Sequence, residues 1–366
     1  MAKPPVSSRW LATCAAIILM SGAIAVVLNK SAAGSGVVLM SMAGIAALCG
    51  LAWLLRVLYF RLSVHHACTW SDEVEREHAR WWAIHQRQFA LNAVVLIGPS
   101  GAELSDWLRV IEREHPAPPL RQEASGKARR IPGVFATDPG EREKQLAQML
   151  VLQWKKQHGD APAVYPEKFF WLGNLDAWSA FAAQLNHCFP KMQVPAQPEA
   201  WQGAKTLALF ADIFGDVDRP ELYLIAGCRA LSPSCDADRP AGECAVLWLA
   251  GCRGDVLLSR GEVFEPAEAE SLRDVTLRAE MQSGLAASPD RCMLFSHPEL
   301  AELAECGWNA THNIQDDYWG IPGELEALVV ISLAAISAKS EANPCGWIAS
   351  DPQCPLAVGV VKPYGK

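Results

Sequence analysis

WLATCAAIILMSGAIAVVL (residues 10–28) and VVLMSMAGIAALCGLAWLL (residues 37–55) decide the reading of this chain. Neither run carries a charge, and Arg56 and Arg61 follow the second. Each has about the twenty residues that a helix needs to cross a bilayer core. Only a helix or a closed barrel satisfies the backbone there, and runs this rich in Ala, Leu, Ile, Val and Met fit the helix. The pair predicts a transmembrane helical hairpin over residues 1–61. A signal peptide would explain one run but not two. A hairpin buried in a globular core would show a polar stripe, which both runs lack. Lys3 and Arg9 precede the first span, and the turn at 29–36 carries only Lys30. The positive-inside rule then places both termini in the cytoplasm of a two-span inner-membrane protein, with membrane lipid as one partner.

Working outward, the 366-residue chain has a formal net charge of -8. Removing the hairpin leaves roughly three hundred residues, enough for one large α/β body or two smaller parts, taken as 62–219 and 220–366. The acidic balance argues against nucleic acid, whose phosphates call for clustered Lys and Arg. The twelve cysteines form no C-x-x-C pair. The densest group, Cys228, Cys235, Cys244 and Cys252, is too widely spaced for a zinc knuckle. No metal and no cofactor are expected. In a cytoplasmic body these thiols stay reduced, whereas the opposite orientation would pair some of them.

Residues 62–70 read as a juxtamembrane link, and Ser71-Asp72-Glu73 as the start of a new helix to about residue 89. LNAVVLI (91–97) reads as a buried strand ended by Gly98-Pro99-Ser100-Gly101. A phosphate loop would need a lysine after that turn, and Ala102-Glu103-Leu104 stands there instead. Residues 116–139, with Arg129 and Arg130, read as a long loop with a solvated basic pair. Helices are predicted at 102–115, 141–158, 175–187, 200–214, 265–281, 299–306 and 324–337. Strands are predicted at 169–172, 221–226, 244–250, 292–295, 310–314, 346–349 and 356–361, with a small hairpin at 256–264. The 324–337 helix is apolar all round, hence central. Alternating strands and helices closed by a hairpin indicate a layered α/β body.

Four stretches carry a family likeness. They are Gly242-Glu243-Cys244-Ala245-Val246-Leu247-Trp248-Leu249, Met293-Leu294-Phe295-Ser296-His297, Trp319-Gly320-Ile321 and Asn343-Pro344-Cys345-Gly346. From about Glu221 their order resembles the C-terminal half of a β-ketoacyl synthase, the thiolase-like fold. The resemblance implies a cysteine nucleophile where a strand turns into a helix, and two histidines. The best equivalent of the first, Gly173-Asn174-Leu175-Asp176, has no cysteine, and Cys188 lies at the wrong end of its helix. Ile321 stands where the second histidine belongs. Such departures imply a degenerate thiolase-like body with no catalytic residue, more in keeping with a binding protein than an enzyme. The hairpin and the closing run at 344–361 are similar to accessory proteins of bacterial type VI secretion, of the lipase-effector adaptor kind. That similarity implies a non-enzymatic adaptor holding a secreted effector or machinery component at the cytoplasmic face. The alternative is an acyl-thioester transferase or condensing enzyme with a relocated cysteine of depressed pKa.

Five further residues are candidates for a remnant site or an interaction site. His297 beside a loop proline suits a leftover acid–base group or a structural histidine. Asp316 and Asp317 are adjacent, so they do not face one another as a paired acid–base site would require. Tyr318 and Trp319 suit a peptide-binding edge, since aromatic residues are enriched at interfaces.

Overall fold

The computed structural model describes residues 4–28, 35–159, 165–215, 220–265, 270–296, 303, 306–351 and 356–365. Two compact units emerge, Met1–Trp81 and Trp82–Lys366. The first holds α1 (Ser7–Leu28) and most of α2 (Ser35–His85). Both helices are long and apolar enough to cross a membrane. They approach closely at Gly22, where an added Cβ would lie 3.1 Å from the Met42 sulfur. The expected break at 62–70 is absent. No glycine or proline stands between Leu51 and His85, and the Thr69 hydroxyl donates back to the His65 and His66 carbonyls. The helix therefore runs through Ser71, which caps nothing.

The second unit begins with β1 (Gln88–Ile97), α3 (Leu104–Ile111), the small hairpin β2 (Arg121–Glu123) and β3 (Gly126–Ala128), and α4 (Pro139–His158). It continues through β4 (Lys168–Leu172), α5 (Leu175–Cys188), the short β5 (Glu199–Ala200), α6 (Ala204–Phe214), β6 (Tyr223–Ala230) and β7 (Glu243–Gly251). Then come β8 (Val256–Ser259), β9 (Glu262–Phe264), α7 (Leu272–Ser283), β10 (Arg291–Leu294), α8 (Asp316–Trp319), α9 (Glu326–Glu341), β11 (Cys345–Ala349) and β12 (Leu356–Pro363).

Apart from the β2–β3 hairpin, the strands build one sheet in the order β10-β11-β12-β8-β1-β7-β6-β4-β5, with β9 also pairing with β12. Its middle is the antiparallel pair β1–β8, and the two sides repeat each other outward from it. On one side β7 is antiparallel to β1 and to β6, and β6, β4 and β5 run parallel. On the other, β12 is antiparallel to β8 and to β11, β11 and β10 run parallel, and a parallel bridge from Leu294 to Ile314 takes the place of the last strand. Read outward from the middle, each half holds its first, fifth, fourth, second and third strands in chain order. The protein body is thus an internally duplicated mixed sheet.

Both faces of the first half are buried, which explains its near-continuous apolar strands. Phe170, Ile225 and Trp248 face α3, α6 and α9, while Phe169, Trp171 and Leu224 face α4 and α5. The central position of α9 follows its sequence: residues 327–338 are all buried. Its central hydroxyl, Ser332, accepts from Trp248 Nε1 at 2.7 Å and donates to the Leu328 carbonyl.

Three local expectations are corrected. Residues 121–128 form a hairpin inside the stretch read as loop, closed at Gly126 by a positive φ. β8 and β9 do not pair with each other; both lie along β12, and the chain kinks between them at Gly261 (φ 76°). The strand expected at 310–314 is a 3-10 turn, Thr311–Asn313, followed by the single bridged residue Ile314.

Candidate functional site

The duplication brings two helices, the half-buried α6 and the buried α9, to equivalent places, each after the third strand of its half. Both are preceded by a glycine in an unusual conformation: Gly203 at φ 59°, ψ -134° and Gly320 at φ 71°, ψ -170°. Side chains rarely adopt such positive φ values. Gly320 is also pressed against the Pro240 and Ala241 carbonyls, leaving no room for a Cβ. The loop after β11 joins the two helix starts. Asp351 Oδ2 accepts from the Ala204 amide at the opening of α6 (2.8 Å). The adjacent Ser350 amide donates to Glu326 Oε1 at the opening of α9 (3.0 Å). A carboxylate thus lies on the positive end of α6, where the dipole and the unpaired amides favour negative charge.

This geometry relocates the junction expected at Gly173-Asn174. That turn follows the second strand and opens α5 on the opposite face of the sheet, where Asn174 is an ordinary N-cap accepting from the Ala177 amide (2.6 Å). The symmetry-related partner of the Gly320-Ile321 turn is Trp201-Gln202-Gly203. It has no cysteine, and Gly203 takes the sharp-turn position. Around it the Gln202 amide donates to the Thr206 hydroxyl (2.8 Å), and Trp201 packs edge-on against Trp248.

The candidates from sequence separate. His297 lies outside the described residues. Asp316 and Asp317 begin the four-residue helix α8, with the Asp316 amide donating to the Phe295 carbonyl (2.8 Å). Tyr318 and Trp319 are buried, so they form no exposed peptide-binding edge. Trp319 stacks on Trp107 at 4.9 Å and lies against Gly98, where a Cβ would collide with its ring. The Gly98–Gly101 turn holds no phosphate loop: the Asp106 carboxylate already accepts from the Ala102 and Glu103 amides. Among the described residues no cluster of His, Cys, Asp and Glu is arranged for a metal.

Sequence reading missed the polar node behind this region. Glu243 is fully buried and accepts from Arg130 Nη1 (3.1 Å), Arg142 Nη2 (2.9 Å), Arg142 Nε and the Ile131 amide (2.9 Å). Arg130 also grips Glu123 through Nε and Nη2. The basic pair read as solvated surface is therefore buried: Arg130 between two carboxylates, and Arg129 donating from Nη1 to the Pro118 carbonyl. Those hydrogen bonds hold the Glu123 carboxyl below its usual range. Nearby, burial pushes the Glu143 carboxyl above its usual range, although it accepts from the Ala230 amide and Asn174 Nδ2.

The described cysteines are free thiols. Burial raises the pKa of Cys228, Cys244, Cys292 and Cys306, and pushes Cys345 up to about 12. None of these five suits the relocated thiolate of the alternative reading.

No known protein-family profile matches the sequence, and no curated protein matches it either. Solved structures do. The ishigamide ketosynthase/chain length factor is 14% identical, with a TM-score of 0.52 over 76% of this chain and 100% of that one. The ketosynthase from module 6 of the bacillaene synthase of Bacillus subtilis 168 is 10% identical, with a TM-score of 0.51 over 76% of this chain and 71% of that one. These relatives overturn the expectation of a non-enzymatic secretion adaptor. They are ketosynthases, and a link to type VI secretion finds no support in them. The body has the thiolase/ketosynthase-like α/β fold.

Proposed function

We propose that this protein is a condensing-type protein acting on acyl thioesters, with Asp351 at the α6 N-terminus in place of a cysteine nucleophile. The carrying observation is the 2.8 Å contact between Asp351 and the Ala204 amide beside the Gly203 turn. In this reading Asp351 takes a proton from the α-carbon of a bound acyl thioester. The C–H pair becomes an enolate, and its negative charge develops beside the helix N-terminus. The enolate carbon then attacks the carbonyl of a second thioester, forming a carbon–carbon bond and expelling its thiolate. No acyl-enzyme is required, which suits a turn that offers glycine where a nucleophile would stand.

The full chain, purified in detergent, would be given acetyl- and malonyl-coenzyme A while free thiol is followed. Thiol release should fall by about 10²-fold or more in Asp351→Asn, the usual weight of a general base. Thioester turnover that never exceeds the uncatalysed background, or an Asp351→Asn variant equal to the parent, would remove the reading. We further propose that α1 and α2 hold the body at a membrane, with two spans and both termini cytoplasmic, as the flanking Arg9, Arg56 and Arg61 favour. Retention in the membrane pellet after carbonate washing is the result this requires; release into the supernatant would refute it.

A further inference from the structure

β1 is flanked by β7 along residues 90–97 but by β8 only along 88–91. A register shift between Leu91 and Ala93 turns the strand over at that point. Beyond the shift, the Leu96 carbonyl accepts from Trp107 Nε1 (3.1 Å) and so faces away from β7. Backbone groups of alternate residues in a strand face the same side. The N–H and C=O of Val94 therefore also face the open side, and among the described residues nothing pairs with them. Unpaired backbone groups next to a cavity are costly unless a partner arrives.

That side opens on a cavity of about 270 Å³ between α3, the end of α4 and the last turns of α9. Leu96, Trp107, Ala335 and Ile336 make its wall apolar. At its mouth Lys339 Nζ pairs with Asp255 Oδ2 at 2.6 Å, offering further donors and acceptors to whatever enters. The cavity lies at the C-terminal end of α9, whereas Glu326 and the Asp351 loop lie at the N-terminal end.

We propose that the open edge of β1 binds a short extended peptide by strand addition, a site separate from the thioester site. Its backbone pairs with Val94, one apolar side chain enters the cavity against Trp107 and Ile336, and Lys339 with Asp255 meets the next peptide group. Main-chain pairing with an apolar pocket for alternate side chains is how exposed sheet edges recognise peptides.

Hydrogen exchange read by mass spectrometry tests this on the full chain in detergent, with the capped tetrapeptide acetyl-Ala-Val-Leu-Ala-amide as probe. Millimolar probe should slow exchange of the fragment covering residues 88–97 by about threefold or more. Ala335→Trp, which fills the cavity, should abolish the slowing, and Lys339→Met at the exposed mouth should weaken it. The second variant decides the matter if the first does not fold. Unchanged exchange at 88–97 in the folded protein would overturn the proposal, as would slowing that persists undiminished in the folded variants. Thioester turnover is read in parallel, and the peptide site stands or falls without it.

Discussion

Glu243 shows how a single residue draws together distant chain. It was visible in the sequence as part of Gly242-Glu243, but its partners Arg130 and Arg142 lie 113 and 101 residues away. No local pattern reports such a pairing, and so Arg130 read as surface. Removing the carboxylate leaves the buried Arg142 guanidinium without an ion-pair partner and Arg130 with Glu123 alone. Glu243→Ala should cost about 3–5 kcal/mol, measured from the denaturant midpoint; a loss below about 1 kcal/mol would show that the cluster is dispensable. Glu123, held below its usual range by Arg130, gives a pH signature. A depressed carboxylate contributes stability above its unfolded pKa and loses it as pH falls through the folded value. Wild type should therefore lose stability relative to Glu123→Gln on acidification below the ordinary glutamate range. The effect should stay within about 1 kcal/mol, since the carboxylate is partly exposed; a difference of opposite sign would reject the pairing. The thiols give a third residue-scale outcome. At pH 8 the native protein should leave Cys228, Cys244, Cys292 and Cys345 unalkylated while exposed Cys235 reacts. Rapid labelling of any of those four would return the relocated-cysteine reading to contention.

At the scale of elements, periodicity and composition located most helices and strands within a few residues. α9 was legible because a helix apolar on every side has only the centre of a protein to occupy. The α4 helix was placed at 141–158 from its apolar face, and the structure starts it at Pro139, with the Asp138 side chain accepting from the Glu141 amide at 3.0 Å. The third strand of the first half was not: β5 has two residues, too few for any alternation to appear, while the strand expected at 310–314 shrinks to Ile314 alone. That loss hid the true strand-to-helix junction, and Gly173-Asn174 took its place in the reading. Asp351 was hidden likewise, since nothing local marks a turn residue as a helix cap for α6, 147 positions earlier. The junction itself makes a prediction. Gly203→Val puts a β-branched side chain where φ is 59° and should destabilise by about 1–3 kcal/mol, read as a lowered melting midpoint. A neutral outcome would mean the turn is not the one described. Gly284→Ala is a milder control: its φ is 68°, and a Cβ there would meet open space.

For the whole molecule, the two apolar runs were plain from sequence, and the duplicated sheet was not. The family likeness was placed from Glu221 onward, yet β6 and β7, which carry its first motif, complete the sheet half begun by β1. Internal duplication at this depth lives in strand order and direction, which residue patterns do not record. The resulting architecture sets α6 and the central α9 with their first turns on a common loop, Ser350-Asp351, and that convergence is what the functional reading rests on. A photoreactive acyl pantetheine thioester cross-linked to the full chain, with the attachment points mapped by mass spectrometry, tests it most directly. The account predicts attachment within residues 201–206 or 349–351, competed by unlabelled acyl thioester. Specific, competable attachment elsewhere, with those two segments unlabelled, would contradict it.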